Sequence, residues 1–344
     1  MLILLLMWRN RMSIERLTMK KRAFRILSID GGGVRGILPI VWLEHLEQQL
    51  DKPLHEHFDL IAGSSIGAVI GCAIAAGLPV SEIRKNWQAY ADTVFSRSHR
   101  MTRSLMNLCA YTGIVPRYQA DGMITMLKSV FAGQTLGELK TPVLVLTHNP
   151  ESVKAEILTT PRHSDLPVWS ACRASTAAPV FFKPHNFVHA AQRKTLLDGS
   201  LSAINPAVVA LSHAMQRIRQ QDNGCSIDDI VLASFGTGKR LANRHKPGKT
   251  IVAHGKALTN ALFFGSMADD HATAGSLLSA NNYFRLQTLL PARLEAMDAA
   301  EHIDELQQRA VKMLKQGFAF HLQRLADRLQ QKACQQQWVE QVCA

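Results

Sequence analysis

The sequence has no CxxC pair, so neither a dithiol motif nor a cysteine-based structural zinc site can be drawn from it. Its six cysteines, Cys72, Cys109, Cys172, Cys225, Cys334 and Cys343, lie scattered along 344 residues. In a chain this long with no export signal they read as reduced thiols in the cytosol. The apolar run at the N-terminus, "MLILLLMW", stops after eight residues and meets "RNR". That is far short of the ~20 residues that span a bilayer. No basic region precedes it and no A-x-A site follows, which argues against a secretory signal. Internal repeats and low-complexity tracts are also missing. What is left is one large α/β domain, or one with a helical annex. Hydrophobic residues at 47% supply a sizeable core, and a charged fraction of 19% does not suggest a disordered chain.

Acidic residues are the scarcer charge: 27 against 39 Lys and Arg, for a net charge of +12. Half of that excess sits in residues 1–25, where seven basic residues face Glu15 alone. A basic surface favours anionic membranes, nucleotides or nucleic acid without choosing among them. The tail, residues 1–22, reads as a basic solvated segment, as sequence ahead of a later start (Met7, Met12 and Met19 follow), or as a small interfacial anchor.

"FRILSI" (24–29) reads as a short buried strand and "FDLIAG" (58–63) as a second. Each is followed by glycines and a helical pattern, "ILPIVWLEHLEQQL" and then "IGAVIGCAIAAG", the latter ended by Gly77 with Pro79 behind it. Two strand–turn–helix units in succession predict a parallel α/β sheet. Helices are expected at 80–95, about 119–131, from "VWSACRAS" and over "PAVVALSHAMQRIR"; strands at 142–148, 154–159, 194–200 and in "DIVLASFGTG". The stretch 95–118 is weakly patterned and reads as a loop or lid. From about 253 the chain reads as mostly helical.

Three constellations carry chemistry. In "SIDGGGVRG", Gly31, Gly33 and Gly36 fit G-x-G-x-x-G between a strand and a helix. Backbone N–H groups there can face an anion, either a pyrophosphate or a transition-state oxyanion. In "GSSIG", Gly63, Ser65 and Gly67 fit G-x-S-x-G in strand-to-helix context, the setting of a nucleophile elbow, though also that of an unreactive glycine turn. The register selects Ser65 over Ser64. In "LLDGS", Asp198 ends an apolar strand before Gly199. Taken alone this is more often a turn than a site. A serine hydrolase usually needs a histidine base. No histidine stands in a motif after Asp198; His148, His185 and His271 are the candidates, and each reads better as a surface or hydrogen-bonded residue.

Taken in order, "DGGGVRG", "GSSIG" and "DGS" resemble the patatin-like phospholipases, over roughly residues 22 to 290. "CRASTAAPVFFKP" and "VLASFGTG" fit later segments of that family. The resemblance implies a three-layer α/β/α sandwich with a mainly parallel sheet and a helical C-terminal section. It divides the chain into the tail 1–22, a patatin-like domain 23–215 and a C-terminal extension 216–344 of the same fold. It implies a Ser–Asp dyad in place of a triad, with Ser65 as nucleophile and Asp198 as base. The amides of Gly32, Gly33 and Val34 would form the oxyanion hole. Asp30, Gly31, Arg35, Gly36, Gly63, Gly67 and Gly199 are supporting motif residues, Arg35 anchoring the loop or meeting a phosphate. Ser200 stands where the family's third motif ends in Ala or Gly, a departure able to alter the hydrogen bonding of Asp198.

The implied activity is phospholipase A1/A2-type hydrolysis of membrane phospholipids by an acyl-enzyme route, needing no cofactor and no metal. The protein would be cytoplasmic and act peripherally at the inner membrane, with no nucleic-acid partner and with homo-oligomer formation open. A compact chain of this kind also resembles phospholipase effectors of antiphage systems that a cyclic dinucleotide switches on. The competing readings are an unregulated housekeeping lipase, an idle binding module, and a dinucleotide-binding protein built on Gly31–Gly36. The last needs an acidic residue ~20 positions on, at a strand tip. Asp51 has the distance but follows a helix.

Overall fold

The computed structural model describes residues 23–95, 116–221, 226–240 and 267–331. The basic tail, most of the 95–118 stretch, and Cys109, Cys225, Cys334 and Cys343 lie outside the described residues.

The fold follows from strands that are apolar on both faces. β1 (Phe24–Ile29) sends Ile26 to one side of the sheet and Leu27 and Ile29 to the other. β2 (Leu60–Ser64), β3 (Val143–Asn149) and β7 (Ile230–Phe235) divide their residues the same way: Leu60, Leu144 and Leu232 on the face of Ile26, and Ile61, Val145 and Val231 on that of Leu27. Near-continuous apolar runs are what parallel strands covered on both faces require. On the Ile26 side lie α6 (Ala207–Gln221) and α7 (Met267–Leu277). Ala207, Ala210, Leu211, Ala214 and Ile218 form the buried stripe of α6, at helical spacing. On the Leu27 side pack α1 (Ile37–Glu47), α2 (Ile66–Ala76), α3 (Val80–Val94), α4 (Asp121–Phe131) and α5 (Val168–Ser175). The result is the expected three-layer α/β/α sandwich.

Hydrogen-bonded strand order is β5-β6-β3-β2-β1-β7-β9, with β4 also on β3; here β4 is Lys154–Thr159, β5 His185–His189, β6 Gln192–Asp198 and β9 Tyr283–Leu286. β3, β2, β1, β7 and β9 are mutually parallel, whereas β4, β5 and β6 pair antiparallel. Register explains how two distant motifs meet. Leu146 of β3 pairs with Ile157 on one edge and Ser64 on the other. One residue on, Thr147 pairs with Glu156 on the first edge and Asp198 on the second. Asp198 therefore takes over the edge of β3 where β2 ends and the chain turns into α2.

The C-terminal section is interrupted by two short strands that the sequence does not announce. β9 extends the main sheet, and β10 (Leu289–Leu290) pairs with β8 (Lys239–Arg240). Strands of four and two residues are too short to show a period. Beyond them, α8 (Ile303–Met313) and α9 (Ala319–Gln330) join across a kink at Gly317, φ 122°, and fold back on α1. Trp42 of α1, buried, donates from Nε1 to the Ala310 carbonyl at 3.1 Å and meets Phe318 edge-on. Among the described residues no helix is long and apolar enough to cross a membrane.

Candidate active site

The elbow is a strained turn. Ser65 sits at φ 53°, ψ −127°, outside the conformations an L-residue prefers, between the last residue of β2 and the first of α2. Small neighbours let the turn pack: a Cβ on Gly67 would fall 2.2 Å from the Ile29 carbonyl oxygen. The turn is also pinned from outside. Ser65 N–H donates to Ser175 Oγ at 2.9 Å, and Ser175 donates to the Leu146 carbonyl at 2.6 Å. Ser175 closes α5 inside "CRASTAAPVFFKP", a segment that the sequence reading fits to the family without giving this serine a role.

Ser65 Oγ donates to Asp198 Oδ2 at 2.6 Å. The carboxylate's other oxygen accepts from the Ser200 backbone N–H at 2.8 Å. The hydroxyl of Ser200 lies 3.4 Å from that of Ser64, which is buried and turned away from the cavity. Asp198 is 1% exposed. Burial pushes its pKa up to about 6, against the opposing pull of the Ser65 and Ser200 hydrogen bonds and the Arg173 charge. Arg173 of α5 is itself buried and drawn down to about 10 by desolvation. It donates to the Lys183 carbonyl at 2.8 Å and lies over the Phe182 ring. None of the three candidate histidines bonds Ser65. His148 meets Ser202, His185 meets Ser170 and His271 meets Tyr283.

The glycine loop crosses above the elbow. Asp30, fully buried, takes a bidentate clamp from Arg285 of β9, at 2.8 and 2.5 Å. Burial opposes the Arg285 charge, and the Asp30 carboxylate more than restores it, holding the guanidinium above its ordinary pKa. Thr237 Oγ1 donates to the Gly31 carbonyl. Arg35 is 1% exposed and donates from Nε to the Gly32 carbonyl at 3.2 Å, so it is a loop anchor with no surface for a phosphate. The loop's amides divide into two sets. Gly31 N–H donates to the Ile204 carbonyl at 3.0 Å and Val34 N–H to the Met297 carbonyl at 2.9 Å. Gly32 and Gly33 N–H groups have no acceptor among the described residues. Gly33 has φ 59°, and a Cβ there would meet the Met297 carbonyl at 2.1 Å. Val34, expected to help bind an oxyanion, thus has its amide engaged elsewhere. Arg285 and Met297 lie some 250 residues from the loop in sequence, and no local signal marks them.

Gly32, Gly33, Ser65 and Asp198 share one cavity that runs along α2 past Val69, Ile70 and Ala73, roofed by α3 and α4. Apart from the dyad, the loop and Glu82 its walls are nearly all apolar or aromatic, Trp87, Phe95, Met123, Phe181 and Phe182 among them. The arrangement offers a hydroxyl with a base in contact, two cavity-lining glycines whose amides have no acceptor among the described residues, and an apolar channel leading away. Asp51 lies exposed in a turn after α1, not at a strand tip, and gives the dinucleotide reading no ribose partner. Among the described residues no cluster suited to a metal ion occurs.

The family model for patatin-like phospholipase matches residues 27–211. The chain is 30% identical over 239 residues to an intracellular phospholipase A2 of Caenorhabditis elegans, covering 64% of this chain and 20% of that protein. It is 30% identical over 240 residues to a patatin of Solanum tuberosum, covering 62% and 60%. A cGAMP-activated phospholipase of Pseudomonas aeruginosa is 28% identical over 194 residues, covering 55% and 56%. The chain spans less than two thirds of the length of each of these relatives.

Proposed function

The chain belongs to the patatin-like phospholipase family, and we propose that it is a lipid acyl hydrolase in which Ser65 is the nucleophile and Asp198 the base. The observation that carries this reading is the 2.6 Å Ser65–Asp198 hydrogen bond at a strained elbow, beside two unengaged loop amides. Ser65 Oγ attacks the ester carbonyl of a phospholipid while Asp198 takes its proton. The tetrahedral oxyanion faces the N–H groups of Gly32 and Gly33; one such donor is typically worth about 3 kcal/mol. Collapse expels the lysophospholipid oxygen, which takes the proton back from Asp198, and leaves an acyl-Ser65 ester. Water, deprotonated by Asp198, attacks that ester and frees the fatty acid. The acyl chain lies in the apolar channel throughout.

A carboxylate serves as base near neutral pH only if its pKa is raised, and burial does this for Asp198. The raised pKa also favours a neutral carboxylic acid at the stage where the leaving oxygen needs a proton.

Regulation by a cyclic dinucleotide is a further part of the proposal. It is supported by the cGAMP-activated relative and by a net charge of +12. Two assays test the whole. Wild-type protein should turn over a fluorogenic ester and release lysophospholipid from vesicles, and Ser65→Ala should lose at least a thousandfold in both. Equal rates for the two proteins reject the dyad. Adding a panel of cyclic dinucleotides should raise the vesicle rate; rates unchanged by every one of them reject the switch and leave an unregulated lipase.

A further inference from the structure

Hairpin turns that need positive φ ordinarily carry Asn, Asp or Gly, which adopt it at little cost. Two hairpins here do otherwise. The β5–β6 turn holds Ala190 at φ 49° and Ala191 at φ 60°, and the β3–β4 turn holds Val153 at φ 55°. Nothing in the fold compensates by packing. Val153 is 75% exposed and Val188 67%, the two most exposed large apolar side chains among the described residues. The alanines are exposed as well.

Both tips project from the same end of the sheet. Asp198 lies level with Thr147, and β6 runs six residues from there to its tip, ~20 Å at the strand rise. The β3–β4 turn begins just past Asn149, beyond the same level. The tips therefore overhang the end that carries Ser65. A 2.9 Å ion pair between Lys194 of β6 and Glu156 of β4 holds the hairpins together. Arg162, His163 and Lys194 line a cleft between them. Beside the apolar tips stand Lys154, next to Val153, and Arg193, paired in register with Val188. Lys154, Arg162 and Arg193 are exposed and have no acidic partner among the described residues. Apart from Glu151 in the same turn and Asp165, which His189 holds, the charges beside these exposed apolar residues are cations with no acidic partner among the described residues. That pattern matches the interface of an anionic bilayer, where apolar groups enter the acyl boundary and cations meet phosphates.

We propose that the β3–β4 and β5–β6 tips, with the exposed Val153 and Val188 and the cations Lys154, Arg162 and Arg193 on or beside them, form a docking surface for an anionic lipid bilayer. Docking there sets the Ser65 end of the sheet against its substrate. The purpose of the surface rests on the lipid-hydrolase reading; the binding is measured without turnover.

The test is sedimentation of the full chain with vesicles of phosphatidylglycerol and phosphatidylcholine, and with phosphatidylcholine alone. The wild type should bind the anionic vesicles and lose affinity as salt is raised. Val153→Asp with Val188→Asp should weaken that binding at least tenfold. Arg162→Gln with Arg193→Gln should weaken it and flatten the salt dependence. Both variants should keep wild-type turnover of a soluble short-chain ester. Val153→Asn guards against misfolding: it relieves the turn, so it should raise the melting temperature while still weakening vesicle binding. Variants that bind as the wild type does, or a wild type that binds neutral vesicles equally well, overturn the proposal. So does a dimer broken by the aspartate substitutions, since the tips would then serve a second copy of the chain. A wild type that sediments with vesicles but hydrolyses no ester sinks the hydrolase reading and leaves the docking surface standing.

Discussion

A buried carboxylate that must ionise to work opposes folding, and Asp198 makes the conflict measurable. Its folded pKa of about 6 stands above the ordinary 3.8. Below about pH 4 the group is protonated folded or unfolded, and folding gains nothing and loses nothing by it. Between about pH 4 and pH 6 the folded state holds the extra proton, so stability falls as pH rises and stays lowered above the folded pKa. A shift of about two units corresponds to on the order of 3 kcal/mol. Activity runs the other way. The ionised base is needed, so kcat/KM should climb with pH along a single limb centred near 6 and level off by about 8. Asp198→Asn should therefore lose ester turnover, melt above the wild type at pH 8, and match it near pH 4. Thermal melts at the two pH values decide the matter; a variant less stable than the wild type at pH 8 refutes the assignment. The turns at Ser65 and Asp198 are legible in their flanking glycines, while the pairing of the two rests on the resemblance to the family. The roles of Ser175, Arg285 and Met297, which hold the elbow and the glycine loop, are not legible, because strand register and loop packing bring them there from distant sequence.

The elements legible in the sequence are those with a long period or a hard stop. α2 is one: eleven residues rich in small and apolar side chains, ended by Gly77 in the left-handed conformation. β5 was missed because the signal for a hairpin, a polar pair at the turn, is replaced by two alanines. α2 also sets the length of the channel. Ala73 is eight residues from Ser65, ~12 Å along the helix at 1.5 Å per residue, and it faces the cavity. A larger side chain there should shorten the acyl site without touching the dyad. Each buried methylene is worth about 0.8 kcal/mol, so excluding two of them costs more than tenfold in kcat/KM. Ala73→Phe should lose at least that much on long-chain esters and keep wild-type rates on an acetyl or butyryl ester. A parallel fall on both classes would mean that the substitution has disturbed the elbow and that the channel is not the acyl site.

At the scale of the molecule, the family match ends at residue 211, yet the sheet does not. β7 supplies six paired residues along the whole of β1, and β9 follows it. Arg285 on β9 is the counter-charge of buried Asp30, the Met297 carbonyl holds the Val34 amide, and α8 and α9 cover Trp42. A fragment of residues 23–215 loses all of these. It would expose β1 as a flat apolar edge, a template for aggregation. It would also remove the guanidinium that clamps Asp30, and breaking such a buried pair costs about 3–5 kcal/mol, against a total stability of about 5–15 kcal/mol for an ordinary domain. The sum exceeds what such a fold can spare. The fragment should be insoluble or show no cooperative melt, while residues 23–331 should melt cooperatively and hydrolyse a soluble ester. Circular dichroism melts of both decide it. A fragment that unfolds cooperatively and still turns over ester would show that the first 215 residues position Ser65, Asp198 and the glycine loop unaided, with the clamp from β9 dispensable.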